Sequence, residues 1–223
     1  MSLRHLKSTW ENLGRVDPLW AVLSDPAMRN GRWDVTEFMA TGRHQVEWIT
    51  TLAADAGLSL GDRVLDFGCG VGRLTNALAE HATEAVGVDI ADSMVERARE
   101  LNQYPGRVSF TGYDGRRLPF DDGAFDGAVS LIVLQHARPP VQLAALLELQ
   151  RVVRVGGVLV LQIPSHARLA PALEPSAMRA EITIRHAPDT LAAGEPATVR
   201  ATVTNVSEHT WEVGRMIKLG NHW

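Results

Sequence analysis

The stretch Val64-Leu-Asp-Phe-Gly-Cys-Gly-Val-Gly-Arg-Leu-Thr75 decides the fold. An apolar run ends in an acid, Asp66, and three glycines follow at alternate positions: Gly68, Gly70 and Gly72. Glycine inside a strand or helix weakens it, so three together call for a local reason. A strand that ends at Asp66-Phe67 and turns sharply into a helix supplies one. Without Cβ atoms the loop bends tightly and lets a ligand approach its backbone. The helix beyond presents unpaired N–H groups and partial positive charge, which suits a nucleotide-like ligand carrying an anionic group. The spacing is G-x-G-x-G. The dinucleotide fingerprint G-x-G-x-x-G would need glycine at 73, where Arg73 stands, so a pyrophosphate reader is disfavoured.

The pattern continues outward from this loop. "RVLDF" (63–67), "EAVGVDI" (84–90), "VSFTGY" (108–113), "DGAVSLIVL" (126–134) and "GVLVLQIP" (157–164) read as strands covered on both faces. Helical stretches lie between them: Gly72 to His81, a second starting at Ser93 and running through "MVERARE", and "PVQLAALLELQRVV" (140–153). Such alternation predicts βαβ units and a parallel sheet with helices on both faces. The second strand ends in Asp89, where an acid is placed to hold a ribose diol.

Residues 1–60 read as a helical cap, 61–164 as the ligand-binding α/β domain, and 165–223 as a β-rich segment. The cap holds Trp10, Trp20, Trp33 and Trp48, four of the six tryptophans in the chain. They read as packing material or as a lid over the ligand, with Trp33 and a "FMATG" turn ending at Gly42 as the lid contact. Asp34 and Glu37 have capping-box spacing before a helix that runs to Ala56 and stops at Gly57. Val46, Ile49, Ala53 and Ala56 share one face of it. In the last segment "AEITIRH" (180–186) and "ATVRATVTNVS" (197–207) alternate at period two around the turn chemistry of "APDTLAAGEP" (187–196). That predicts antiparallel strands of a truncated, Ig-like sandwich before the final "KLGNHW", with a homodimer through this segment as one way to cover them.

Composition sets bounds. The chain has 223 residues, 45% hydrophobic and 22% charged, the make-up of an ordinary soluble protein. Its net charge is −4 with no basic run, which argues against nucleic acid as a partner. The single cysteine, Cys69, permits no intrachain disulfide and fits a reducing, cytoplasmic setting. It reads as a small space-filling residue rather than a reactive thiol. No metal-ligand spacing, signal peptide or membrane span is legible.

Taken in order, "VLDFGCGVG", "GVDIADSMVERARE", "YDGRRLPFDDGAFD", "SLIVLQHA" and "LQRVVRVGGVLVLQIP" resemble the motifs of the class I S-adenosylmethionine-dependent methyltransferases, of a bacterial small-molecule type. "DPLWAVLSDP" and "WDVTEFMATG" also resemble the N-terminal segment of one bacterial subgroup. The resemblance covers about residues 60–164. It implies a Rossmann-like, doubly wound, mostly parallel sheet with an N-terminal helical cap and a C-terminal partial antiparallel β segment. It implies S-adenosylmethionine as cofactor, with Gly68, Cys69, Gly70 and Gly72 wrapping the methionine part and Asp66 near the amino group. Asp89 and Ile90 would meet the ribose, Asp114 and Gly115 the adenine, and Leu118, Ser130 and Leu131 would flank the cofactor. The acceptor would be a small molecule or carbohydrate bearing an O, N or C nucleophile. His136, after strand four, is the candidate general base. A binding module without turnover and an NAD-dependent oxidoreductase are the competing readings.

Overall fold

The computed structural model describes residues 3–163, 180–186 and 200–208. The chain divides into two compact units, Met1–Pro164 and Ser165–Trp223. The turn read at 187–196, the terminal "KLGNHW" and the completeness of a sandwich lie outside the described residues.

In the first unit five strands form one parallel sheet: β1 (Arg63–Phe67), β2 (Glu84–Asp89), β3 (Val108–Gly112), β4 (Phe125–Ser130) and β5 (Val153–Leu161). Their order is β3-β2-β1-β4-β5. The chain therefore winds outward from β1 in one direction, returns, and winds out in the other. The crevice beyond the carboxyl ends of β1 and β4 is the place where such a reversal leaves room for a ligand. The register sets Asp66 of β1 beside Gly87 of β2 and Val129 of β4.

Side chains alternate between two apolar layers, as the pleat requires. Val64, Ala85 and Val129 join one layer, with Val46 and Ile49 of α3 (Val35–Asp55), Leu74 and Leu78 of α4 (Arg73–Leu78), and Val95 and Ala98 of α5 (Asp92–Glu100). Leu65, Val86, Val88 and Ala128 join the other, with Leu149 and Val152 of α6 (Pro139–Val152). Helices thus cover both faces, as the strand–helix alternation predicts.

The helical elements differ from expectation in detail. Asp34 caps α3, its Oδ1 accepting from Glu37 N at 3.0 Å, and Gly57 sits at φ +71° just beyond the helix end. "FMATG" is not a turn but part of this helix, with Phe38 and Met39 buried in it. Ala56 is exposed, because it closes the helix rather than facing the core. α4 ends at Leu78, short of His81. α5 begins at Asp92, and Ser93 is not its cap. Ser93 Oγ donates to the Glu11 carbonyl and its N–H to Glu11 Oε2, joining α5 to α1 (Leu3–Val16). β4 stops at Ser130, since Ile132 takes φ +61° and leaves the ladder.

α1 and α2 (Pro18–Val22) pack with α3 over the glycine loop. Leu19, Ala21, Phe38 and Met39 form a third apolar cluster with Val71, Ala91 and Met94. Burying a side chain such as Phe38, which is 0% exposed, contributes roughly 1.5–3 kcal/mol. Trp33 donates from Nε1 to the Leu23 carbonyl at 3.2 Å and meets Phe38 edge-on, so it serves packing. Trp48 faces solvent.

In the second unit β6 (Ala180–His186) pairs antiparallel with β7 (Arg200–Asn205), as the period-two alternation predicts. Glu181, Thr183, Arg185, Thr202 and Thr204 are exposed along this pair, and Arg185 Nε donates to Thr202 Oγ1 at 3.0 Å.

Candidate functional site

The glycine loop explains its own composition. Gly68, Gly70 and Gly72 take φ values of +78°, +53° and +82°, the left-handed region that residues with a Cβ rarely enter. The loop is pinned to β2, because Gly68 and Cys69 both donate their N–H groups to the Val88 carbonyl, at 2.8 and 3.0 Å. A side chain at Gly68 would collide with Val133, which shows how closely the β4 exit approaches the loop.

The second acid locks onto the first motif. Asp89 Oδ2 accepts from Gly70 N at 2.9 Å, and Oδ1 accepts from Ala91 N at 2.9 Å. The carboxylate is 8% exposed, and burial pushes its pKa up. Its two oxygens have more lone-pair positions than these two bonds use. Asp66 is more deeply set, 1% exposed, and accepts from Thr75 Oγ1 at 2.6 Å. Burial raises its pKa to about 6, against the Thr75 hydrogen bond that lowers it.

Both acids line a single open cavity, whose volume with its mouth is about 1010 Å³. Gly68, Cys69, Gly70, Ile90, Gly115, Leu131 and His136 line it with them, so most of the sequence-predicted positions converge there. Burial pushes the Cys69 thiol up, away from thiolate reactivity. His136 ends a short 3₁₀ turn after β4 and meets Trp10 edge-on, ring centres 5.2 Å apart. Burial lowers its pKa, and a hydrogen bond with the Ile132 backbone opposes that shift.

Four predicted positions lie outside the cavity lining. Gly72 packs against the Phe110 ring and Ala98. Asp114 is exposed and turned onto its own loop, where Oδ1 accepts from Arg116 N at 2.8 Å and Arg117 N at 3.1 Å. Its neighbours Tyr113 and Gly115 reach the cavity instead. Leu118 is a core residue whose N–H donates to Glu148 Oε2, itself held by Arg151. Ser130 is fully buried and donates to the Phe67 carbonyl at 3.1 Å, tying β4 to β1.

The sequence reading missed Leu3, Leu6 and Trp10 as cavity walls. The signal was present: positions 3, 6, 10 and 13 carry Leu, Leu, Trp and Leu, one stripe of an amphipathic helix. It also read Arg73 as a helix-surface or interdomain residue rather than a cofactor ligand, whereas Arg73 is buried. Arg73 does bond to α3, yet it lines the cavity as well. Ile132, another wall, is a β-branched residue at positive φ, a strained conformation of the kind that clusters at functional sites.

Among the described residues no group of three His, Cys, Asp or Glu side chains is placed to hold a metal ion. Among them, too, no helix is long and apolar enough to cross a membrane.

Residues 64–157 match the sequence model of a family described as a methyltransferase domain. The order and direction of the strands, the glycine loop and the acid closing β2 make a Rossmann-like α/β fold, and the stretch that matches the methyltransferase model is the one that carries them. Among curated relatives the chain is 32% identical over 123 residues to the demethylmenaquinone methyltransferase of Clavibacter sepedonicus, covering 55% of this chain and 49% of the relative. The chain spans about half the length, or less, of the curated relatives it matches first. Among solved structures it is similar in fold to the Haemonchus contortus phosphoethanolamine N-methyltransferase 1, solved with phosphoethanolamine and S-adenosylhomocysteine. The TM-score is 0.56 at 22% identity, over 79% of this chain and 34% of that one. The magnesium protoporphyrin IX methyltransferase of Synechocystis PCC 6803, solved with S-adenosylhomocysteine, gives a TM-score of 0.52 at 22% identity, over 74% of each chain.

Proposed function

We propose that the protein is an S-adenosylmethionine-dependent methyltransferase acting on a small-molecule acceptor. The observation that carries this reading is the single cavity lined at once by Asp66, the glycine loop and Asp89. The donor set fits the cofactor. Asp89 keeps acceptor capacity toward a sugar diol while holding the loop through Gly70. Asp66 offers a carboxylate to an ammonium group. Two buried carboxylates also favour a cationic sulfonium, and they disfavour a pyrophosphate, which weighs against a dinucleotide.

When bound, S-adenosylmethionine supplies an electrophilic methyl group on a positively charged sulfur. The protein's part is to position and to exclude water. The loop and the two acids hold the cofactor end. Trp10 of α1 lies against His136, and Leu6, Val141 and Ala145 line the same cavity. These walls are apolar, which supports an acceptor with an apolar body rather than a carbohydrate. His136 takes the proton of an acceptor hydroxyl or amine on the imidazole nitrogen that is not engaged with the Ile132 backbone. Its lowered pKa keeps that nitrogen free at neutral pH.

Calorimetric titration tests the first half of the reading. S-adenosylhomocysteine is expected to bind and NADH is not; the reverse pattern overturns it. Turnover on a panel of apolar phenols, quinols and amines then tests the second half, and binding without turnover on any of them would leave a binding module.

A further inference from the structure

The segment between β4 and α6 carries His136, and Leu131, Ile132, Val133, Leu134 and Ala137 of the same segment line the cavity. On its own it is a poor platform. Its regular part is a single 3₁₀ turn, Leu134–His136, in which His136 N donates to the Val133 carbonyl and Ala137 N to the Leu134 carbonyl, both at 3.1 Å. Turns of this kind have poor hydrogen-bond geometry. Ahead of the turn Ile132 sits at φ +61°, a conformation that persists only where the surroundings impose it.

Two glutamine side chains do the imposing. Gln142, near the start of α6, donates from Nε2 to the Leu134 carbonyl at 2.8 Å and to the Ala137 carbonyl at 3.0 Å. A primary amide has two N–H donors, and both are used here, on carbonyls either side of His136. A residue that capped α6 would instead accept from the free N–H groups of its first turn. Gln162, directly after β5, donates its own N–H to the Ser130 carbonyl at 2.9 Å and accepts the Ile132 N–H on Oε1 at 3.0 Å. Its side chain thus replaces the strand partner that Ile132 loses on leaving the ladder. The Ile132 carbonyl in turn takes an N–H from the His136 imidazole, which is why this contact works against the lowering of the imidazole pKa. Neither glutamine lines the cavity, so each reaches the site only through the segment it holds.

We propose that Gln142 and Gln162 are positioning residues for His136. Gln142 clamps the turn that bears the imidazole, and Gln162 fixes the Ile132 backbone on which the imidazole leans. Together they keep one ring nitrogen protonated toward Ile132 and leave the other bare to accept a proton. This rests on the reading of His136 as the base, and it goes further by assigning the orientation of that base to two neutral amides and a main-chain carbonyl. The tautomer of a histidine is set by the bond its other nitrogen makes. A neutral partner sets it without the strong gain in basicity that a carboxylate would bring.

The first measurement needs neither cofactor nor acceptor. Long-range proton–nitrogen correlation NMR of the histidine imidazoles, with His136 assigned by its loss in His136→Ala, reads the tautomer above its pKa. Wild type should show one tautomer. Gln142→Met and Gln162→Met, which keep the side-chain length and remove the amide, should show both in exchange. Gln162→Glu, which keeps the acceptor, should match wild type. Gln162 is exposed, so its variants keep the test open should Gln142→Met not fold. The second measurement is a double-mutant cycle on methyl transfer from S-adenosylmethionine to a simple phenol or quinol. Gln142→Met should lower kcat by roughly ten- to a hundredfold, the effect of a small misplacement, with acceptor KM little changed. Added to His136→Ala, it should slow transfer no further. A wild-type imidazole already in both tautomers overturns the proposal. So do unchanged tautomers in the methionine variants, or a Gln142→Met effect that persists without His136. A His136→Ala enzyme as fast as wild type is a different result: it removes the base, and the positioning role falls with it.

Discussion

Asp89 Oδ2 accepts the Gly70 N–H at 2.9 Å, so the acid that ends β2 is also the clasp of the loop that follows β1. One carboxylate thereby joins two sequence motifs and turns its remaining acceptor capacity to the cavity. Asp89→Ala should leave the Gly70 and Ala91 N–H groups without partners, costing about 1–3 kcal/mol. A urea denaturation midpoint reads that loss, and titration should find S-adenosylhomocysteine binding abolished. Asp114→Ala should cost far less affinity, because the Asp114 carboxylate is exposed and bonded within its own loop. If Asp114→Ala is the more damaging change, the Asp114 carboxylate must leave its own loop to meet the ligand.

Asp66 makes stability depend on pH in an unusual direction for a carboxylate. Its pKa stands raised to about 6 from the ordinary 3.8, because burial penalises the charge. The folded protein therefore holds a proton that the unfolded chain releases. That contribution is complete below about pH 4 and is lost as pH rises through about 6. Asp66→Asn, which can still accept from Thr75, should remove the dependence. Above pH 7 the variant should be more stable than wild type by up to about 3 kcal/mol, since each pKa unit corresponds to about 1.4 kcal/mol. Chemical denaturation of both proteins from pH 4 to 8 measures this. In wild type, affinity for S-adenosylhomocysteine should rise over the same interval as Asp66 ionises toward the ammonium, and in Asp66→Asn it should not.

Which parts of this site were legible in the sequence follows from how local each signal is. The glycine loop, Asp66 and Asp89 announce themselves, since backbone conformation and strand ends are set by nearby residues. Asp114 and Leu118 show the limit. Neither departure from the cavity is encoded nearby: Leu118 is held by Glu148 and Arg151, some thirty positions on, and only the fold brings them together. Ser130 likewise turns inward to the Phe67 carbonyl, a partner on another strand. The parallel sheet was readable because its strands are continuous apolar runs. The end of β4 was not, because Ile132 adopts a backbone conformation that its own side chain disfavours. Trp10 was visible as one of several tryptophans, but only the packing of α1 selects it over Trp33 and Trp48 as a cavity wall.

The docking of the helical cap rests on a close approach. Gly42 of α3 lies against the backbone carbonyl of Arg73, and a methyl group there would collide with it. Gly42→Ala should therefore push α3 from α4, lowering stability by about 1–3 kcal/mol although alanine is the better helix former. The shift also moves Thr41 and Gln45, which hold Arg73. Thermal melting should show the destabilisation, and affinity for S-adenosylhomocysteine should fall with it. A variant as stable as wild type would mean that the two helices are not in contact in solution.

His136 and Trp10 give the prediction closest to the chemistry. The imidazole lies edge-on to the Trp10 ring at 5.2 Å, on the apolar side of the cavity, and burial holds its pKa below the ordinary 6.5. A base is active when unprotonated, so the methyl-transfer rate should be level above about pH 7. It should fall tenfold per pH unit once the lowered pKa is passed on the acid side. His136→Ala should slow transfer by about 10²- to 10⁴-fold and abolish that acid limb, with S-adenosylhomocysteine affinity unchanged. Trp10→Ala should act differently, because it removes a wall and not a proton acceptor. The acceptor KM should rise while the acid limb stays, its midpoint moving up toward 6.5 as water reaches the imidazole. Pre-steady-state rates against pH for the three proteins separate these roles. An acid limb that persists in His136→Ala, or a loss of cofactor affinity in that variant, would assign the proton transfer to another group.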